Sequence, residues 1–175
     1  MTVGQFGTVI GKEVYNYTDN DFYTHSLGFA VEPTHHTGIL ATYTQSESLQ
    51  ISAGVANTTG PETNGAGLGS GSSKTFLGSV SYTLGSDTGE FLSGTKLYYG
   101  IVSGNAAGAS GDNDDYHYAS VTLPELAANL SISVPWDHVE SGTTGTADDN
   151  VVGLYVGYQV NDDLALNARY EMGNI

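Results

Sequence analysis

The run Leu130-Ser131-Ile132-Ser133-Val134-Pro135-Trp136-Asp137 alternates at every step between a large apolar residue and a small, polar or proline residue. Successive side chains of a strand project to opposite faces, so this run has one oily face and one wet face. The pattern recurs. Phe76, Val80, Tyr82 and Leu84 share a parity against Thr75, Ser79, Ser81 and Thr83. Leu49, Ile51, Ala53 and Val55 alternate with Gln50, Ser52 and Gly54. Leu164, Leu166, Ala168, Tyr170 and Met172 stand opposite Asn167, Arg169 and Glu171. Alternation of this length, repeated through a chain, predicts an all-β, antiparallel fold.

About nine strands are expected, at 2–10, 37–44, 49–58, 74–84, 95–103, 116–123, 130–139, 150–160 and 164–173. Their connections alternate between long loops and short turns such as Asn161-Asp162-Asp163. An up-and-down meander in a transmembrane β-barrel has this order, because tight turns gather at one rim and longer loops at the other. Greek-key connections in a soluble sandwich give no such order. A solvated sheet with a packed apolar face would show the same alternation, but its wet face would carry more Lys and Glu than Ser and Thr. No stretch approaches the roughly 20 apolar residues of a membrane helix, whereas a barrel strand needs only about 10 with half of them apolar.

The same logic assigns faces. An Arg on a lipid-facing midplane position costs on the order of 2–4 kcal/mol, so Arg169 and Glu171 are expected to look inward and the apolar set outward. Tyr43, Tyr82, Trp136, Tyr158 and Tyr170 fall near strand ends, where an interfacial aromatic girdle sits, and Phe76 joins them on the lipid-facing side.

Nineteen acidic residues against Lys12, Lys74, Lys96 and Arg169 give a formal charge of −15. With no basic patch, nucleic acid is excluded as a partner. Asp112, Asp114, Asp115, Asp148 and Asp149 are expected in loops. The absence of Cys excludes a disulfide framework or a thiolate metal site. His25, His35 and His36 do not make a zinc site, since adjacent strand residues face opposite ways. The acidic run 112–115 lacks the glycine and distal Glu of an EF-hand. The glycine-rich stretch 65–71 lacks the Lys-Ser/Thr closure of a phosphate loop. Asp137 and Glu140 give no defensible catalytic pair. No enzyme, cofactor or metal is expected.

The stretch Phe6-Gly7-Thr8-Val9-Ile10-Gly11-Lys12-Glu13-Val14-Tyr15, continued through Asn20-Asp21-Phe22-Tyr23-Thr24-His25-Ser26 to Pro33-Thr34-His35-His36-Thr37-Gly38, resembles the OmpL-like family of outer-membrane β-barrel porins. Shared features are a strand with a Phe, an Ile-Gly-x-Glu corner and a Pro-x-x-His-Thr-Gly entry into the next strand. His25 stands where the family pattern commonly has a basic residue between hydroxyls, a departure across which an anion preference is not carried over. The match covers about the first 60 residues; beyond them only barrel-like alternation remains.

The resemblance implies a passive diffusion channel for small hydrophilic solutes or ions in a Gram-negative outer membrane, with the lipid bilayer as its surroundings. A homo-oligomer is compatible with it. It also implies that residues 1–175 are one partial barrel domain, lacking strands on both sides, so that a strongly curved sheet or a forced closure is expected. Residues 11–36 are the segment best suited to fold into the lumen. Glu13, Tyr15, Tyr17, Asp19, Asp21, Tyr23, His25 and Glu32 would then line a constriction, with Lys96, Arg169 and Glu171 added from the strands. Such an acidic lining favours cations. The alternative is a soluble or surface-exposed β-sheet adhesion or structural module without a pore, whose aromatic face would be packed inside. A third possibility is a plugged barrel with an anchoring role, disfavoured by the small size of the residues expected to point inward.

Overall fold

The computed structural model describes residues 1–60, 74–105, 113–124, 129–142 and 147–175. They form one nine-stranded antiparallel sheet in strict sequence order: β1 (Thr2–Gly7), β2 (His35–Thr44), β3 (Leu49–Ala56), β4 (Thr75–Thr83), β5 (Lys96–Asn105), β6 (Asn113–Thr122), β7 (Leu130–Glu140), β8 (Asp149–Asn161) and β9 (Leu164–Asn174). Every strand pairs with its chain neighbours, from Gly4 opposite Gly38 at one edge to Leu154 opposite Tyr170 at the other. The sheet is open, with β1 and β9 as its edges. The expected glycine-rich stretch 65–71 and Asp112 lie outside the described residues.

Strand parity follows the sequence pattern. On β7, Ser133, Pro135 and Asp137 are buried on one face, while Ile132, Val134 and Trp136 look to the other. Pro135 has no N–H, and the ladder to β8 lapses between Ser133 and Trp136 while the pairing of Pro135 with Ser120 on β6 persists. On β8, Val151, Gly153 and Tyr155 are buried and Val152, Leu154 and Tyr158 exposed. We call the face carrying the buried set inner, because the long β1–β2 connection lies against it.

That connection, residues 8–34, is not a simple loop. It holds a 3-10 turn (Tyr17–Asp19) and a short helix, α1 (Leu27–Val31), capped by the Ser26 hydroxyl, which accepts from Phe29 N. Its start corrects the expected first strand. β1 ends at Gly7, and Val9 and Ile10 turn into the core. There they pack with Ala56, Leu77, Val102 and Tyr118, flanked by Phe6, Leu40, Tyr98 and Tyr116.

This cluster also corrects the expectation of small inward residues. One end of the inner face, by the long connections, is filled with large apolar side chains. Strand starts differ as well: β6 begins at Asn113 and β8 at Asp149, so Asp114, Asp115 and Asp149 belong to strands and not to loops. Towards the short turns the inner face becomes polar, with Thr42 bonded to Ser52, and Ser131, Gln159 and Asn167 around a cavity of about 400 Å³.

Candidate functional site

The site is the contact between residues 8–34 and the inner face. At its centre is Glu13, whose side chain is 4 % exposed. Both carboxylate oxygens are filled. Oε1 accepts from Arg169 Nη1 at 2.6 Å and from the Tyr155 hydroxyl at 3.2 Å. Oε2 accepts from Ser26 N at 2.9 Å and faces His25 Nδ1 at 3.1 Å. A buried carboxylate needs this number of donors to offset its lost hydration.

Arg169 comes from the middle of β9, where parity turns it inward beside Glu171. All its N–H groups are engaged. Nη1 also donates to Thr24 O at 2.9 Å, Nη2 donates to Thr24 Oγ1 and His25 O, and Nε lies 3.1 Å from Glu171 Oε2. The guanidinium plane covers the Phe22 ring, 4.9 Å from its centroid. Glu171 in turn accepts from Leu27 N at 3.1 Å and Gly28 N at 3.4 Å, the first free amides of α1. The amides from Ser26 to Gly28 are therefore held by Glu13 of the segment at one end and by Glu171 of the wall at the other. Gly28 is required there, since a Cβ at that position would lie 2.4 Å from Asp137 Oδ2.

His25 stacks on Phe29 with ring centroids 3.6 Å apart, and the Tyr17 ring lies tilted against it at 4.2 Å. At the entrance from β1, the Tyr98 hydroxyl donates to the Val9 carbonyl and His36 Nε2 meets Thr8 Oγ1 at 3.0 Å. A cavity of about 610 Å³ opens between these anchors, walled by Tyr15, Phe29, His35 and Tyr98 and bordered by Glu13, Asp19 and Glu32. Farther along, Asp21 and Phe22 border the spaces next to Ser131, Ser133, Tyr155 and Asn167.

Glu32 caps the other end of α1, close enough to Asp137 of β7 for the two carboxyls to interact. Burial pushes its carboxyl well above the ordinary value, and the neighbouring carboxyls of Asp137 and Glu13 push it the same way.

Of the residues singled out from sequence, Glu13, His25, Arg169 and Glu171 are brought together, and Glu32 stands one helix away. Tyr15, Tyr17, Asp19, Asp21 and Tyr23 are exposed parts of the same segment. Lys96 is elsewhere, exposed at the first position of β5. Tyr43, Phe76, Tyr82, Tyr158 and Tyr170 are exposed on the outer face and Trp136 is half-buried there. Phe76, Ile132 and Trp136 do not share a dry interior.

Sequence reasoning missed Asp137, Tyr155 and Thr24. The parity of Asp137 with Ser131 and Ser133 was a usable signal. Tyr155 was hidden because β8 is apolar on both faces, with Val151, Val152, Leu154, Tyr155 and Val156 in near-continuous order.

Among the described residues, no group of His, Asp and Glu side chains has the arrangement of a metal site. No helix is long and apolar enough to cross a membrane, which says nothing of a barrel crossing with strands. No curated protein and no solved structure matches the chain. A family model does, over residues 1–174, and the all-β meander with opposed apolar and polar faces agrees with it: the chain belongs to the family described as putative beta-barrel porin-2, OmpL-like.

Proposed function

We propose that the chain forms wall and constriction of an outer-membrane diffusion channel for small hydrophilic solutes or ions, with a preference for cations. The observation that carries this reading is the division of β9. Arg169 and Glu171 look inward to a polar, hydrogen-bonded segment, while Leu166, Tyr170 and Met172 are exposed on the opposite face. Outer faces of the other strands repeat the division with Ile39, Ile51, Val80, Leu97, Val121 and Val152. Such a surface is costly in water and suits hydrocarbon.

In this reading residues 8–34 narrow the passage. Glu13 is neutralised by Arg169, so the surplus field comes from Asp19, Asp21, Asp137 and Glu171 against Lys12. That surplus favours cations over anions. Conduction requires a closed wall, because unpaired strand edges are costly in lipid; β1 and β9 must therefore meet each other or further strands in the bilayer. Planar-bilayer recording tests the proposal. Stepwise current and a cation-selective reversal potential in a salt gradient are expected; absence of steps, or anion selectivity, refutes the respective part.

A second reading has its own support. The cluster of Val9, Ile10, Leu77, Val102 and Tyr118 closes one end of the inner face with apolar packing. A barrel plugged there would insert in membranes without conducting, and the same recordings would show silent insertion.

A further inference from the structure

We propose that the cavity between residues 8–34 and the start of β2 binds a small organic cation with an apolar body, an aralkylammonium, through the Glu32 carboxyl and the rings of Tyr15, Phe29, His35 and Tyr98. Its volume of about 610 Å³ lies in the range of small-molecule pockets, which are largely apolar with a few placed polar groups. Four rings and three acids line it, and neither Lys nor Arg does. The walls are fixed without a ligand. The Tyr98 hydroxyl donates to the Val9 carbonyl, and Phe29 is stacked on His25. Tyr15 meets His35 edge-on with centroids 4.8 Å apart, and His35 is paired with Gly7 across β1 and β2. Gly11, at φ +100°, leaves the room that the Glu32 carboxyl takes: a Cβ there would fall 2.1 Å from Oε2.

The three acids are not equivalent. Glu13 is spent on Arg169, Tyr155, Ser26 and His25. Asp19, at the exposed rim, accepts from Asn16 Nδ2 at 2.9 Å. Glu32 is half-buried, and none of the ion pairs among the described residues includes it. Burial without a countercharge makes this carboxyl keep its proton above the ordinary range. An ammonium group supplies the missing charge: it takes the proton's place at Glu32, and the proton passes to solvent. The apolar body of the ligand then covers ring surface, where a cation gains further from the ring faces. Asp19 draws the same sign of charge to the mouth. A neutral solute of equal shape gains only the rings, and an anion meets acids alone.

Binding here does not depend on conduction, and its test reads no current, so either reading can fail while the other stands. Backbone amide shifts of the detergent-folded protein are followed at about pH 8 as phenethylammonium is added, beside its neutral and anionic counterparts, phenethyl alcohol and hydrocinnamate. The cation should give saturating shifts at Tyr15, Phe29 and His35 while Ser52 and Gly153 of the wall hold. Its affinity should exceed that of the alcohol by at least about tenfold, and the anion should not saturate. Glu32→Gln should bring the cation down to the affinity of the alcohol. Tyr15→Ala, which removes an exposed side chain, should weaken cation and alcohol alike. Should Glu32→Gln fail to fold, the wild-type charge series and Tyr15→Ala decide. The site is overturned by shifts confined to the outer face, by equal affinity for cation and alcohol, or by saturation with the anion. A cation preference that survives Glu32→Gln, or an affinity unmoved by Tyr15→Ala, overturns it as well.

Discussion

Arg169 Nη1 lies 2.6 Å from Glu13 Oε1, across 156 residues of chain and two elements that touch nowhere near each other in sequence. The pair ties the last strand to the segment that follows the first. Both side chains are largely out of water, at 13 % and 4 % exposure. Removing one partner strands the other, which for buried pairs costs about 3–5 kcal/mol. Arg169→Ala should lower the denaturation midpoint of the detergent-folded protein accordingly. Arg169→Lys keeps the charge but loses the planar fork to Thr24, His25 and Glu171, and should fall between. A cost below about 1 kcal/mol for Arg169→Ala would mean that Glu13 is hydrated in solution.

Gly28 permits the closest approach of α1 to the wall. The Cβ of Ala at this position meets Asp137 Oδ2 at 2.4 Å and its Cγ at 3.1 Å, and Asp137, 5 % exposed, has little room to swing. Overpacking of about 1–3 kcal/mol should outweigh the roughly 1 kcal/mol by which Ala favours a helix. Gly28→Ala is therefore expected to lower stability. Gly7→Ala, where nothing stands within 4 Å, should be neutral within about 0.5 kcal/mol. Chemical denaturation of both variants checks the contrast.

Global stability should also depend on pH through Glu32. Its folded-state carboxyl titrates well above the ordinary 4.5 because of burial. Between those two values the folded chain holds a proton that the unfolded chain has released. Stability is then greatest below about pH 4.5 as far as this group is concerned, and falls as pH rises, by at most about 1.4 kcal/mol per unit. Above the raised value the loss is complete and the profile levels. Glu32→Gln should remove this component, seen as a flatter plot of denaturation midpoint against pH.

Much of the wall was readable from the chain, because strand parity is a local property. Ser133 and Asp137 against Ile132 and Val134, or Arg169 against Tyr170, need only alternation to be assigned. The site was readable only in part. Glu13 and Arg169 were both singled out, yet nothing local joins them; their contact exists because nine strands bring β9 round to the segment after β1. The proximity of Glu32 and Asp137 had no signal at all, and the sequence offers Asp137 only its neighbour Glu140 as a partner. The inward apolar cluster was missed for a different reason. Leu77 and Val102 lie in stretches that are apolar on both parities, Phe76-Leu77 and Ile101-Val102, where alternation says nothing about which face is filled.

The outer face offers the sharpest test of where the protein resides. Leu154 lies near the middle of β8, opposite Tyr170, with 43 % of its surface exposed and Val152 and Val156 on the same side. In a bilayer, Leu154→Arg places a charge in hydrocarbon and should cost on the order of 2–4 kcal/mol, falling for positions nearer either rim. On a sheet whose outer face met water, the same substitution would be surface chemistry, within about 0.5 kcal/mol. Asn167→Arg provides the internal comparison. Asn167 is exposed on the inner face beside Asp21 and Gln159, where a cation meets negative charge and polar groups. Refolding equilibria of the two variants in lipid should therefore separate, with Leu154→Arg strongly destabilised and Asn167→Arg close to wild type. Equal, small effects would place water on both faces and remove the membrane wall on which a channel depends.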